Sequence, residues 1–197
     1  MEIDWIKVMK PYPGRKITLP NGEEMIVTEM KKSEIEKVAD ALVNNLTYHK
    51  DLFDLITSEL ITEFYLLREN RPMWGLPPES HFNLLGRINE EIVGVTNGVL
   101  REPRTGCSLH TTTLKRGLQI GAYLWPCKLE HYFDVLGIER LEASAESVIG
   151  GRKLFAAYGF SPQPFPEQKS HFGTQLQVMT KQQWDRIKSG KIVGEKI

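Results

Sequence analysis

The residues from Arg116 to Ala122 read Arg-Gly-Leu-Gln-Ile-Gly-Ala and lead into an apolar segment with helical spacing. A glycine-bearing turn entering a helix presents backbone N–H groups that lack intrahelical acceptors, at the positive end of the helix dipole. That combination binds phosphate. Arg116 adds a planar cation whose donors match phosphate oxygens, and Lys115 before it adds a point charge. The amides of Gly117, Leu118, Gln119, Ile120 and Gly121 would do most of the binding, so bulk near the phosphates matters more than side-chain type. Downstream, Glu142, Ser144 and Glu146 alternate onto one face of a strand, where a carboxylate could orient water, bind an ammonium group, or simply face solvent. Ser147 could donate a hydrogen bond or cap the helix that follows. Tyr158, just before Gly159-Phe160, could give a proton or pack in the core.

These residues need elements to position them. Arg15 to Met30 predicts a hairpin, with Ile17-Thr18-Leu19 and Met25-Ile26-Val27 around Pro20-Asn21-Gly22. Ser33 with Glu36 reads as a capping box opening a helix through Val43, and a second helix spans Leu52 to Glu69. Pro72, Trp74, Gly75, Pro77 and Pro78 mark a loop. His81–Arg87 and Glu91–Leu100 are strands around an Ile88-Asn89-Glu90 turn, and Cys107–Thr112 is a third. A helix from Leu118 to Val135 follows, with Pro126 expected to curve or break it. A strand from Ile138 to Ala145, a short helix from Gly150 to Ala157, a strand from Thr174 to Met179 and a helical turn from Gln182 to Ile187 complete the pattern. The order implies an α/β (α+β) fold with a mixed, largely antiparallel sheet flanked by helices. The Cys107 and Ile138 strands, joined through a helix, should be parallel neighbours.

The chain of 197 residues has 25 basic and 25 acidic side chains, so no global field draws it to nucleic acid or to an anionic membrane. Cys107 and Cys127 have no metal-ligand spacing and read as reduced core residues of a cytoplasmic protein. No signal peptide and no membrane-spanning run is expected. His49, His81, His131 and His171 lack a helical ligand spacing, so no metal site is expected.

In order and spacing, the Arg116–Ala122 turn, the Leu141–Ser147 stretch and the Leu154–Phe160 ending resemble the core of the GNAT superfamily of acyl-CoA-dependent N-acyltransferases. Arg116 and Gly121 match the family's pyrophosphate signature, while Gln119 replaces its middle glycine. Ser147 stands near the family's Asn, and Phe155 stands where a Tyr is common. The resemblance implies a GNAT-like domain over 25–187, with a hairpin extension over 1–24 and a tail over 188–197. It implies acetyl-CoA or another acyl-CoA as co-substrate, a primary-amine acceptor, and direct attack in a ternary complex. Thr111, Arg116 to Ala122 and Ser147 would hold the cofactor in a gap between splayed strands. Tyr158, Ser147, His110 and Glu142 are the candidates for proton transfer. His110 would sit near the thioester, or be structural. A homodimer is allowed for. A non-catalytic acyl-CoA-binding or regulatory module and a structural α/β interaction domain remain as rivals. The acceptor could lie at Trp74 and its loop or at Phe165 to Phe172.

Overall fold

The computed structural model describes residues 3–145, 148–163 and 176–197. After a short helix α1 (Trp5–Val8), strands β1 (Arg15–Thr18) and β2 (Glu24–Glu29) form the expected antiparallel hairpin. Gly22 takes the left-handed backbone that this turn requires, at φ +86°. The next helix starts differently from the sequence expectation. A 3-10 turn over Lys32–Glu34 precedes α2 (Ile35–Val43), and Glu34 accepts the Lys31 N–H at 2.8 Å. Glu36 lies outside the cap and pairs with Arg68 at 2.8 Å. The capping carboxylate is therefore two residues earlier than the Ser33–Glu36 pattern suggests. Helix α3 (Leu52–Arg68) is capped by Asp51, whose side chain accepts the Asp54 N–H.

Strands β3 (His81–Ile88) and β4 (Glu91–Glu102) form a tight hairpin in which Asn89 and Glu90 both have positive φ, the geometry that suits strand twist. Strand β5 (Thr105–Thr113) follows, then α4 (Ile120–Glu130) and a π turn over His131–Val135. Helix α4 runs through Pro126 without a break. Beyond it come β6 (Arg140–Ala143) and α5 (Val148–Arg152), the latter continued by a π turn over Lys153–Ala157. Strands β7 (Ser161–Pro162) and β8 (Gln177–Thr180), helix α6 (Lys181–Ile187) and strand β9 (Glu195–Lys196) complete the described chain.

The strands make one sheet in the order β7-β8-β6-β5-β4-β3-β2-β1-β9. Among the described strands, β5 and β6 pair parallel, as the helical crossover predicts, and the other pairs are antiparallel. Strands from the N-terminal segment and the C-terminal tail both lie in this sheet. Strand β4 is buried along most of its length because helices cover both faces of the sheet. On one face α4 packs with Trp184, Leu84, Val93, Leu100 and Leu141. On the other, α2 and α3 pack with Leu85, Ile92 and Val95. No helix among the described residues is long and apolar enough to cross a membrane. Cys107 and Cys127 are free and buried.

Helix α4 is fixed at its C-terminal end by buried polar contacts. Arg15 donates from Nε and Nη2 to the two carboxylate oxygens of Glu130, at 2.6 and 2.8 Å, and Tyr12 donates to Oε2 at 2.9 Å. Arg15 Nη1 also donates to the Gly194 carbonyl at 2.8 Å, which ties in the C-terminal segment. Burial works against ionisation of Glu130, yet hydrogen bonds from Arg15 and Tyr12 outweigh it and hold the carboxyl below its usual range. Two residues on, Tyr132 fits between Gly98 and Gly106, where an added Cβ would meet its ring. Its hydroxyl accepts the Val99 N–H and donates to the Cys107 carbonyl at 2.5 Å.

His131, beside them, packs edge-on against Phe82 and Tyr12, and neither ring nitrogen has a hydrogen-bond partner. Burial lowers its pKa to about 3. A group whose folded pKa is depressed supplies stability above its unfolded pKa and loses it as pH falls toward the folded value. The native state should therefore weaken between about pH 6.5 and pH 3, by up to about 1.4 kcal/mol per pH unit. His131→Phe should flatten this limb in urea-unfolding curves. An unchanged slope between pH 6 and pH 4 would place the acid sensitivity elsewhere.

Candidate active site

A β-bulge in β5 opens the sheet. Thr96 faces Thr111 and Gly98 faces Ser108, so Leu109 and His110 together oppose Asn97 alone. The extra residue disrupts the ladder and frees backbone groups that must find other partners. Side chains supply them. Asn97 Oδ1 accepts the His110 N–H at 2.8 Å, and Thr96 Oγ1 donates to the His110 carbonyl at 3.2 Å. Lys128, fully buried on α4, donates to the carbonyls of Asn97 and His110 at 3.2 and 3.1 Å and reaches that of Leu109 at 3.5 Å. Its ammonium also lies 4.4 Å from the centre of the Trp125 ring, a cation–π contact.

Pairing between β5 and β6 covers Thr105 to Ser108 on the β5 side, while β5 itself continues to Thr113. Past that point the strands part, and a cleft of about 220 Å³ lies between them. The bulge residues Leu109 and His110 line it, with Thr111 and Gly121 on one side and Ser144, Ala145 and Lys153 on the other. Its two ionisable lining residues, among those described, are His110 and Lys153. Lys153 lies 3.5 Å from the Gly121 carbonyl, in the first turn of α4. Burial, and then the like charge of Lys191, hold its ammonium below the usual lysine range. A partly desolvated cation beside a helix N-terminus is suited to an anion.

Helix α3 reaches the cleft itself through Ile56 and stands behind His110. Ile56, Glu59, Glu63 and Leu66 fall at helical spacing on one face, and Glu63 is 3% exposed. Glu63 Oε2 accepts from the Asn97 amide at 2.6 Å. Its Oε1 stands 3.3 Å from His110 Nε2, and Glu59 stands 3.8 Å away. Glu63 Oε1 and His110 Nε2 face each other at ion-pair distance without hydrogen-bond alignment. A histidine against two carboxylates can accept a proton and have the resulting charge stabilised.

The turn into α4 has the conformation the glycine pattern calls for. Gly117 and Gln119 take positive φ, at +87° and +56°, and Gln119 is the residue that precedes the helix. Gln119 thus takes a left-handed backbone, a region costly to a side chain. Arg116 is exposed, and its guanidinium lies 5.4 Å from the centre of the Phe53 ring.

Of the residues singled out from sequence, His110, Thr111 and Gly121 meet at the cleft, and Arg116 to Ile120 form the turn beside it. Glu142 and Tyr158 do not line the cleft. The Glu142 carboxylate sits between Arg101 and Arg140, at 3.0 and 3.2 Å. Tyr158 is buried against Trp125, and burial pushes its hydroxyl well above the usual tyrosine range. Phe155 is 60% exposed. Ser147, Glu146 and the stretch from Phe165 to Phe172 lie outside the described residues. Sequence reasoning passed over Glu59, Glu63, Lys128 and Lys153. The Glu59/Glu63 pair carried a readable signal, two carboxylates four apart in line with Ile56 and Leu66.

No family model matches the chain, and no curated protein matches it by sequence. Solved structures match its fold. FdhC, described in apo form as a nucleotide-linked sugar GNAT, has a TM-score of 0.60, with 11% identity, over 90% of this chain and 95% of its own. The GNAT domain of S. lividans PAT has a TM-score of 0.57, with 11% identity, over 85% and 97%. Mycobacterium smegmatis RimJ in complex with CoA-disulfide has 0.56, with 13% identity, over 93% and 98%. The chain has the GNAT fold, a mostly antiparallel mixed sheet flanked by helices.

Two substitutions test this construction by denaturant unfolding. Lys128→Met should cost about 3 kcal/mol, since it strands buried carbonyls whose desolvation is worth about 1–3 kcal/mol each. A loss near zero would mean that the bulge holds itself. Gln119→Gly should stabilise by up to about 1 kcal/mol, the left-handed cost less the chain entropy of glycine. A loss there would show that the Gln119 side chain makes a contact worth more than its strain.

Proposed function

We propose that this protein moves an acetyl or other short acyl group from acyl-CoA to a primary amine, by direct attack in a ternary complex. The observation that carries the reading is the cleft opened by the β5 bulge. It has an anion-suited helix N-terminus and Lys153 at one end and His110 with its carboxylates at the other. The N-acetyltransferases that share this fold support acyl transfer in general.

On this reading the pyrophosphate lies on the Arg116–Ala122 turn, held by the first-turn amides of α4 and by Arg116 swung off Phe53. Lys153 meets negative charge of the cofactor, and Thr111 flanks the pantetheine arm. His110 takes a proton from the acceptor nitrogen, and Glu59 and Glu63 stabilise the imidazolium. The nitrogen bonds to the thioester carbonyl carbon, the C–S bond breaks, and the thiolate takes up a proton to leave as free CoA. A thiolate is a competent leaving group, so water can serve where Tyr158 is buried. Placement in the cytoplasm is part of the same proposal and fits a substrate pool of acyl-CoA.

Calorimetry with acetyl-CoA and thiol-release assays over a panel of amines test the reading. His110→Gln should keep acetyl-CoA affinity and lower kcat by about a hundred-fold or more, the usual worth of a positioned base. Lys153→Met and Arg116→Ala should each weaken acetyl-CoA binding. Failure of the wild type to bind any CoA species would end the proposal and favour a structural interaction domain. Binding without transfer to any amine would favour the non-catalytic module.

A further inference from the structure

The carboxylates behind His110 face a cavity of their own. Glu59 and Glu63 line a pocket of about 270 Å³, separate from the cleft and completed by Leu66, Pro72, Met73 and Trp74. His110 reaches the same two carboxylates from the cofactor cleft, so this group forms the partition between the two cavities. Trp74 also lines a third cavity, which shares Leu109 with the cofactor cleft. The pocket thus lies where a nucleophile would have to approach the bulge from the α3 face.

Its chemistry is lopsided. The partition end holds two carboxylates, and two buried polar atoms there, Glu63 Oε1 and His110 Nε2, lack an aligned hydrogen-bond partner. An ammonium or amine N–H placed between them would supply donors to both. The rest of the wall is apolar but for Thr62. Trp74 is the outer part of that wall, 52% exposed and held at φ +56° in a turn closed by reciprocal backbone hydrogen bonds between Met73 and Leu76. A bulky aromatic in left-handed backbone is strained, and strain of this kind gathers at ligand sites. Among the described residues, the pocket has no charged side chain beyond the carboxylates for a second ammonium or a phosphate, and almost nothing to receive several hydroxyls.

We infer that the acceptor is a primary amine carried on a compact apolar body, an arylalkyl- or alkylamine. Its nitrogen sits between Glu59, Glu63 and His110, and its body lies against Leu66, Met73 and Trp74. This rests on the acyl-transfer reading above and adds the class of acceptor. Polyamines, amino sugars and small hydroxylated amines are the wrong shape or polarity for the outer wall.

The test compares phenethylamine and hexylamine with ethanolamine, glucosamine and spermidine at saturating acetyl-CoA. It adds calorimetry of phenethylamine on the protein–CoA complex. The apolar amines should exceed ethanolamine in kcat/KM by roughly ten- to hundred-fold, the worth of burying such a side chain. Trp74→Ala should raise the KM for phenethylamine about ten-fold without weakening acetyl-CoA binding. Glu59→Gln should weaken phenethylamine more than 2-phenylethanol, its uncharged counterpart. Equal or better turnover of the polar amines, or an unmoved phenethylamine KM in Trp74→Ala, overturns the acceptor class and leaves acyl transfer standing. Phenethylamine that binds but is never acylated, along with every other amine, upholds the pocket and removes acyl transfer. If acetyl-CoA and phenethylamine both fail to bind, both readings fall.

Discussion

A buried lysine and a misregistered strand depend on each other at the centre of this fold. The extra residue in β5 leaves backbone carbonyls pointing away from any strand partner, and Lys128 reaches them from α4. Carbonyls are ordinarily poor compensation for a buried ammonium. Here several of them converge with the face of Trp125, and the arrangement satisfies cation and backbone together. The consequence extends beyond the contact. Because β5 is bent there, β6 can follow it only as far as Ser108, and the divergence past that residue is the cleft.

Helix α4 therefore has three tasks along its length. Its first turn faces the cleft beside Lys153, its middle supplies Lys128, and its end is locked by the Arg15–Glu130 pair. The lock draws on segments far apart in the chain, since Arg15 also holds the Gly194 carbonyl and β9 pairs with β1. Close packing on glycines sets the distance of the helix from the sheet. A Cβ at Gly94 would lie 2.7 Å from side-chain carbons of Ile120 and Leu124. These contacts fix the orientation of the turn into α4 at a distance.

The polar groups are sorted by side. Cationic character lies in the cleft, with Lys153, and anionic character lies behind His110 on α3, with Glu59 and Glu63. His110 stands at the crossing, its backbone held by Asn97 and its ring turned to the carboxylates.

Much of the framework was legible beforehand because it depends on local chemistry. Turn residues between apolar segments marked the hairpins, helical spacing marked α3 and α4, and the helical crossover required β5 and β6 to be parallel. The glycine-bearing turn was equally readable as the start of a helix, but the left-handed backbone at Gln119 came only with the structure. The Ser33 cap failed because two carboxylates competed for one helix start, and long-range pairing drew Glu36 to Arg68. The site itself was only partly visible. His110 stood out as a polar residue in a strand, but nothing local said that it would sit in a bulge. Glu63, Asn97 and Lys128 come from α3, β4 and α4 and acquire meaning only where those elements meet. Glu142 and Tyr158 looked chemical in the sequence and were claimed by Arg101, Arg140 and the Trp125 core. Period and turn chemistry are properties of neighbouring residues, so the sequence by itself determined the elements and their order. Which polar side chains face one another across a cleft is set by register and packing, and that only the tertiary structure decided.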